Sequence, residues 1–190
     1  MKKLLFATQN KNKLKEAAEI LQFKYIIDSP PPLEDGQELP EEYFTLHENA
    51  CQKANFIYEK FNSNCFAEDT GLEVYALDMQ PGVFSARFAG EDRNDEENKN
   101  KLLRLLANHS NRKARFRTVI ALNENGNISY FEGILEGSIS EKPLGTGGFG
   151  YDAIFIPQGY KQTLAEMKSE EKNKISHRKQ ALLKLVEYLS

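Results

Sequence analysis

Two adjacent carboxylates, Glu68 and Asp69, stand directly after the apolar run Cys65-Phe66-Ala67. At the end of a buried strand such a pair can hold a hard divalent cation or activate a water molecule. An exposed acidic turn is the competing reading, because Asp-Thr-Gly suits turns, and Gly71 would let the chain leave the strand sharply. A second polar cluster runs from Thr8 to Lys13, just ahead of residues with helical spacing. The free amides at a helix start and the charge of Lys13 could receive a phosphate; equally, Thr8 and Asn10 could simply cap the helix.

A third candidate is Gly145-Thr146-Gly147-Gly148-Phe149-Gly150, which formally matches G-x-G-x-x-G. A dinucleotide fingerprint must open a helix, whereas a strand-like segment follows here, and no Lys-Ser or Lys-Thr completes a Walker loop. A glycine turn and close approach to a nucleotide both remain open. Finally, Lys172, Lys174, His177 and Arg178 form a basic run at the entry to the last helix. The arginine could grip a phosphate or a base carbonyl with two hydrogen bonds, or the run could be a solvated helix face. His47 and His109 stand apart from any cysteine or histidine cluster, which argues against zinc.

The elements that must position these groups alternate between strand and helix. Lys3 to Ala7 reads as a strand, and Leu14, Ala17, Ala18 and Leu21 share one helix face. Tyr25 to Ile27 offers a second strand before Pro30-Pro31-Pro32, and a loop then extends to about Tyr43. Thr45-Leu46-His47-Glu48 has the form of a capping box. The helix it opens has Ala50, Ala54, Ile57 and Phe61 as its apolar face, with Asn49 and Lys53 one turn apart on another.

Cys65 to Ala67 reads as strand, and Asp92 to Glu97 supplies the acidic start of a third helix carrying Leu102, Leu103, Leu105 and Leu106. Ala114 to Leu122 and the segment through Tyr130 read as a hairpin around Asn125-Gly126, extended by Gly133 to Ser138. Tyr151 to Ile156 suggests a strand ending at Pro157, and Leu182, Leu185, Val186 and Leu189 mark the final helix. The expected class is α/β with a mixed sheet and one folding unit over residues 1–190. Ligands of such sheets gather beyond the carboxyl ends of strands, where distant residues converge.

Bulk composition sets limits. The chain has 190 residues, 40% apolar and 28% charged, as expected of a globular protein able to bury its own core. A net charge of −3 opposes a role in coating nucleic acid, so phosphate recognition must be local. The basic start at Met1-Lys2-Lys3 is cut off by Gln9-Asn10-Lys11 before a secretory apolar stretch forms, giving the expectation of a cytoplasmic location and no membrane partner. Cys51 and Cys65 have no metal-ligand spacing and read as reduced thiols.

The motifs Thr8-x-Asn10-x-x-Lys13, Glu48-Asn49-Ala50-x-x-Lys53-Ala54, Ala67-Glu68-Asp69-Thr70-Gly71-Leu72 and Gly145-Thr146-Gly147-Gly148-Phe149-Gly150-Tyr151-Asp152 follow one another along the chain. With Pro81-Gly82-Val83-x-Ser85-Ala86-Arg87, Thr163-x-Ala165-Glu166-Met167 and Ser176-His177-Arg178, the chain resembles the inosine triphosphate pyrophosphatase family along nearly its whole length. The resemblance implies an elongated two-lobed α/β fold with a central mixed sheet flanked by helices, a cleft between lobes, and a homodimer. It also implies magnesium-dependent cleavage of ITP, dITP or XTP to the monophosphate and pyrophosphate.

By the same resemblance, Asp69 is the proton acceptor and a magnesium ligand, with Glu68 and Glu41 as further carboxylates. The segment Glu41-Glu42-Tyr43-Phe44 departs from the family pattern, so Glu38, Glu41 and Glu42 all compete for that last role. Thr8, Gln9, Asn10, Lys11, Asn12 and Lys13 would receive the triphosphate with Lys53, and Thr70 would touch substrate beside Asp69. Phe149, Gly150, Tyr151 and Asp152 would form the base pocket, with Lys172, His177 and Arg178 contacting base and phosphate. Ala153 stands where the family usually has proline, and Glu68 where its bacterial members usually have aspartate. The rival readings are a Maf-like pyrophosphatase acting on pyrimidine or modified nucleotides, and a nucleotide sensor without catalysis. The motifs at Phe149 and Ser176 favour the purine family, and retention of Lys13, Lys53, Glu68 and Asp69 favours catalysis.

Overall fold

The computed structural model describes residues 2–21, 25–34 and 37–190. Strand β1 (Lys2–Leu5) pairs in parallel with β2 (Tyr25–Asp28), and helix α1 (Lys11–Leu21) makes the crossover. Asn10 starts α1, its side-chain oxygen accepting from the amides of Asn12 at 2.9 Å and Lys13 at 3.2 Å. Those are orphan donors that a helix start must satisfy. Helix α2 (Leu46–Phe61) begins as the capping box requires: the Thr45 hydroxyl accepts from the Glu48 amide at 3.2 Å and donates to its carboxylate at 2.7 Å. It ends where Asn62 turns left-handed.

A five-stranded sheet runs in the order β4 (Pro81–Gly82), β3 (Cys65–Val74), β5 (Lys113–Glu124), β6 (Asn127–Ile139) and β7 (Phe155–Pro157). Pairing of β3 with β4 and of β6 with β7 is antiparallel. Parallel pairing occurs between β1 and β2 and at the bridge from Phe6 to Phe66. Helices α3 (Asp95–Leu105), α4 (Ser169–Ile175) and α5 (His177–Tyr188) complete the fold. No helix among the described residues is long and apolar enough to cross a membrane.

The chain divides into two compact units. The first comprises Met1–Asp69, Thr118–Gly133 and Arg178–Ser190. Its core joins Phe6 and Phe66, stacked at 4.4 Å, to Ala17 and Leu21 of α1, Ile120 and Leu122 of β5, and Leu182 and Leu185 of α5. The stacked pair adds about 0.5–1.5 kcal/mol to what its buried area contributes. The second unit comprises Thr70–Arg117 and Ile134–His177. Its core packs Leu72 and Val74 of β3 with Leu102 and Leu106, Phe116, Ile154 and Phe155.

Three local expectations change. β3 does not turn out after Asp69 but continues through Gly71 to Val74. The glycine serves close approach instead, since a Cβ there would lie 2.6 Å from the Gly82 carbonyl oxygen of β4. Only Phe155–Pro157 of the expected Tyr151–Ile156 strand is extended. Residues Asp152–Ile154 form a 3-10 turn, because the Ile154 amide bonds to Tyr151 and the Asp152 carboxylate bonds to the Phe149 amide in place of a ladder. Finally, Lys172 and Lys174 lie on α4, which the extended Ser176 separates from α5.

Candidate functional site

The pleat of β3 sends Glu68 and Asp69 to opposite faces, and each meets a different set of cations. On one side α2 supplies Asn49 and Lys53, one helical turn apart and both buried. Lys53 Nζ lies 3.3 Å from one Asp69 oxygen and 2.6 Å from Glu41, while Asn49 Nδ2 donates to the other Asp69 oxygen at 3.3 Å. Burial alone would lower the lysine's pKa, but Asp69 and Glu41 outweigh it and hold the ammonium above its usual range. Asn49 also bonds the Tyr43 backbone through both its oxygen and its nitrogen, which fixes the segment that carries Glu41.

The three glutamates have different surroundings. Glu41 shares Lys53 with Asp69, whereas Glu42 is tied to Gln52 through its amide at 3.1 Å and its carboxylate at 2.8 Å. Glu38 lies exposed before the buried Leu39.

On the other side, Glu68 is wholly buried, and Arg178 of α5 grips it with Nε at 3.0 and 2.9 Å and Nη2 at 2.8 Å. Nη1 of the same guanidinium bonds Glu16 on α1, and Lys13 Nζ approaches Glu68 at 3.4 Å. Burial pulls the Lys13 pKa down, with Glu68 opposing and neighbouring Lys53 reinforcing the fall. Arg178, by contrast, is pushed further up, since Glu68 and Glu16 overcome its burial. The sequence reading aimed the Arg178 fork at a phosphate or base; the structure places it on two carboxylates.

In the Thr8–Lys13 segment, Thr8 Oγ1 accepts from the Asn10 amide in a local turn just before α1, and Asn10 caps the helix. Gln9 bridges to the Gln37 carbonyl and the Leu39 amide, each at 3.0 Å. Lys11 and Asn12 are exposed on the first turn of α1, and Lys13 points to Glu68.

The second unit holds the other group of candidates. The Phe149 amide donates to Asp152 at 2.9 Å, and Lys172 of α4 donates to the same Asp152 oxygen at 2.7 Å. The Lys172 ammonium also sits 5.0 Å from the centre of the Phe149 ring, a cation–π arrangement. Gly148, with φ of +72°, allows this fold-back, because a Cβ there would lie 2.1 Å from the Asp152 carboxylate. The Gly150 amide donates to Asp95 at 2.7 Å. Tyr151 is buried, its hydroxyl donating to the Ser85 carbonyl at 2.8 Å; burial and then Asp95 raise its pKa. His177 is buried and stacks on Phe116 at 5.0 Å. Thr70 follows Asp69 within β3 and is half-buried. The glycine-rich segment is therefore a braced loop rather than a flexible turn.

A sequence profile of the Ham1 family matches residues 4–188. The chain belongs to the Ham1 family. Among its relatives, a dITP/XTP pyrophosphatase of Christiangramia forsetii is 47% identical over 188 residues, covering 99% of both chains. A dITP/XTP pyrophosphatase of Porphyromonas gingivalis is also 47% identical, covering 100% of this chain and 98% of its own. The solved Staphylococcus aureus Ham1 protein superposes with a TM-score of 0.88 at 35% identity, covering 99% of this chain and 98% of its own. A Ham1 protein from Coxiella burnetii gives 0.84 at 38% identity, covering 100% and 98%.

Asn49, Glu16 and Asp95 were absent from the sequence-derived set. Asn49 was visible as the i−4 neighbour of Lys53 on α2. Glu16 lies one turn beyond Lys13 on α1, a placement with an equally ordinary solvated reading. Asp95 read only as part of an acidic helix start, and nothing local pointed to its distant partner Gly150.

Proposed function

We infer that this chain hydrolyses non-canonical purine nucleoside triphosphates, ITP, dITP and XTP, to the monophosphate and pyrophosphate. The observation that carries the reading is the buried array of Asp69, Lys53, Glu41 and Asn49 in a chain whose relatives are dITP/XTP pyrophosphatases. Asp69 is a carboxylate held in one orientation by two donors from a single helix, as a proton acceptor must be. Water attacks the α-phosphorus and gives its proton to Asp69. The bond from that phosphorus to the bridging oxygen breaks, and pyrophosphate departs. Lys53 and Lys13 supply charge for the phosphate oxygens, and most of the acceleration comes from positioning and charge stabilisation.

The donor set supports a magnesium requirement. Among the described residues, Lys13, Lys53 and Arg178 stand among the carboxylates of Glu16, Glu41, Glu68 and Asp69, so the array is rich in carboxylate oxygen. Among the described residues no three His, Cys, Asp or Glu side chains form a ready metal cluster. Glu41 and Asp69, which already converge on one cation, would serve as the hard oxygen ligands, and Glu68, held by Arg178 on the other face of β3, would add negative charge beside them. Bound there, magnesium would neutralise phosphate charge and lower the pKa of water.

Phe149 stacks on the purine, and Lys172, Asp152 and His177 serve its edge. A six-oxo base presents an acceptor where adenine presents a donor, and a buried donor left unpaired rejects adenine. The protein acts as a homodimer in the cytoplasm, and the exposed aromatic residues Tyr43 and Phe44, the latter 79% exposed, support the dimer.

The test is Asp69→Asn. It should keep the wild-type circular dichroism and melting behaviour and bind ITP within a few-fold, yet lose turnover by about a hundredfold or more. A fully active variant would remove Asp69 from the mechanism.

A further inference from the structure

Phe149 and Gly150 each have the backbone amide taken by a carboxylate, but the two carboxylates come from different places. Asp152 is local and is itself gripped by Lys172. Asp95 is 55 residues away, at the first position of α3. Its Oδ2 accepts from the Gly150 amide at 2.7 Å, the short distance of a charge-assisted hydrogen bond.

Asp95 is not needed to start the helix. Asn94 is the N-cap, with its side-chain oxygen accepting from the amides of Glu96 and Glu97 at 2.9 and 3.2 Å. Glu96 and Glu97 also supply acidic charge to the first turn. The helix is anchored in turn by Asn98, which donates to the Ala86 carbonyl at 2.9 Å and accepts from the Ala89 amide at 2.6 Å. Gly150 has φ of +60° and would meet nothing within 4 Å of an added Cβ, so side-chain packing does not hold its backbone. A hydrogen bond from its own amide to Asp95 ties it to the start of α3.

We propose that Asp95 is a positioning residue for the nucleobase: by holding Gly150 to the fixed start of α3, it sets the orientation of the Phe149 ring and the base selectivity of the enzyme. The proposal rests on the reading of the Phe149 loop as the base-recognition element. Asp95 does not touch the reacting atoms. Its effect falls on KM and on discrimination between bases, and kcat for a saturating substrate stays near the wild-type value.

Two variants separate this role from a contribution to helix stability. Asp95→Ala removes the acceptor; Asp95→Asn removes the charge but keeps a side-chain oxygen. A helix-charge role would lower the melting temperature equally in both. Steady-state pyrophosphate release from ITP and GTP, with hydrogen exchange at the Gly150 amide read by NMR, tests the tether.

The expected result for Asp95→Ala is faster Gly150 exchange and a KM for ITP raised about fivefold, the effect of one hydrogen bond net of its exchange with water. kcat should stay within about twofold and the preference for ITP over GTP should shrink. Asp95→Asn should stay near wild type in exchange and KM. Equal KM increases in both variants would overturn the proposal, as would an unchanged KM in Asp95→Ala despite faster exchange. A wild type without selectivity for ITP would overturn the functional reading and this proposal together, whereas a selective wild type with an equally selective Asp95→Ala overturns this proposal alone.

Discussion

Replacing Arg178 by methionine keeps most of the side-chain volume and removes the guanidinium. Glu68, with no exposed side-chain surface, then loses the three hydrogen bonds that Nε and Nη2 of the arginine donate to it, while Lys13 stays 3.4 Å away. Glu16 loses the bond from Nη1 as well. Breaking a buried ion pair from one side costs about 3–5 kcal/mol, since the remaining carboxylate is desolvated without compensation. In a chain of this size each kcal/mol moves the melting temperature by roughly 2–4 °C, so Arg178→Met should melt roughly 6–20 °C below wild type.

Differential scanning calorimetry and urea unfolding at neutral pH give the measurement. The double variant Arg178→Met, Glu68→Gln should recover a large part of the loss, because an amide is far cheaper to bury than a carboxylate. An Arg178→Met protein melting within about 2 °C of wild type would refute the reasoning. So would a double variant no more stable than the single one, since the cost would then not lie in the stranded charge of Glu68.

Two further outcomes follow from the same geometry. Phe149→Ala should raise KM for ITP about tenfold or more, because stacking on an aromatic ring contributes about 1–3 kcal/mol per base; steady-state kinetics with an unchanged KM would remove the ring from base binding. Burial pushes the Cys65 thiol up to about 12, so the folded state keeps a proton that the unfolded chain releases above pH 9. Stability contributed by the neutral thiol is therefore lost as pH rises from 9 towards 12. Between pH 8 and 10.5 wild type should lose roughly 2 kcal/mol more than Cys65→Ala in urea unfolding. Parallel losses would show that the thiol does not titrate as argued.

Local signals in the sequence were strong wherever one stretch of chain decides the outcome. The Thr45–Glu48 cap, the Asn125-Gly126 hairpin and the apolar faces of α1, α2 and α5 all depend on residues a few positions apart. The fate of Gly71 depended on Gly82 across the strand pair, and the shortening of the Tyr151–Ile156 strand on the turn-forming bonds of Asp152 and Tyr151. Neither partner was marked in advance.

The site shows the same division. Asp69, Lys53 and Lys13 are legible as charged residues at element junctions, whereas the ion pair of Glu41 with Lys53 depends on a residue of α2 that sequence does not join to it. Asn10 caps α1 and Thr8 makes the turn before it, both through bonds to residues within three positions. Arg178 carried a charge that sequence could locate but not aim, since its partners Glu16 and Glu68 lie 162 and 110 residues away.

The most direct test of the central claim is pyrophosphate release from ITP, dITP, XTP, GTP, ATP and the pyrimidine triphosphates, measured with magnesium and with chelator on one preparation. The account predicts magnesium-dependent release, with kcat/KM for ITP, dITP and XTP at least about a hundredfold above that for ATP, the discrimination expected when the wrong base leaves buried polar groups unpaired. Preference for a standard purine or a pyrimidine, or no turnover of any of them, would contradict it.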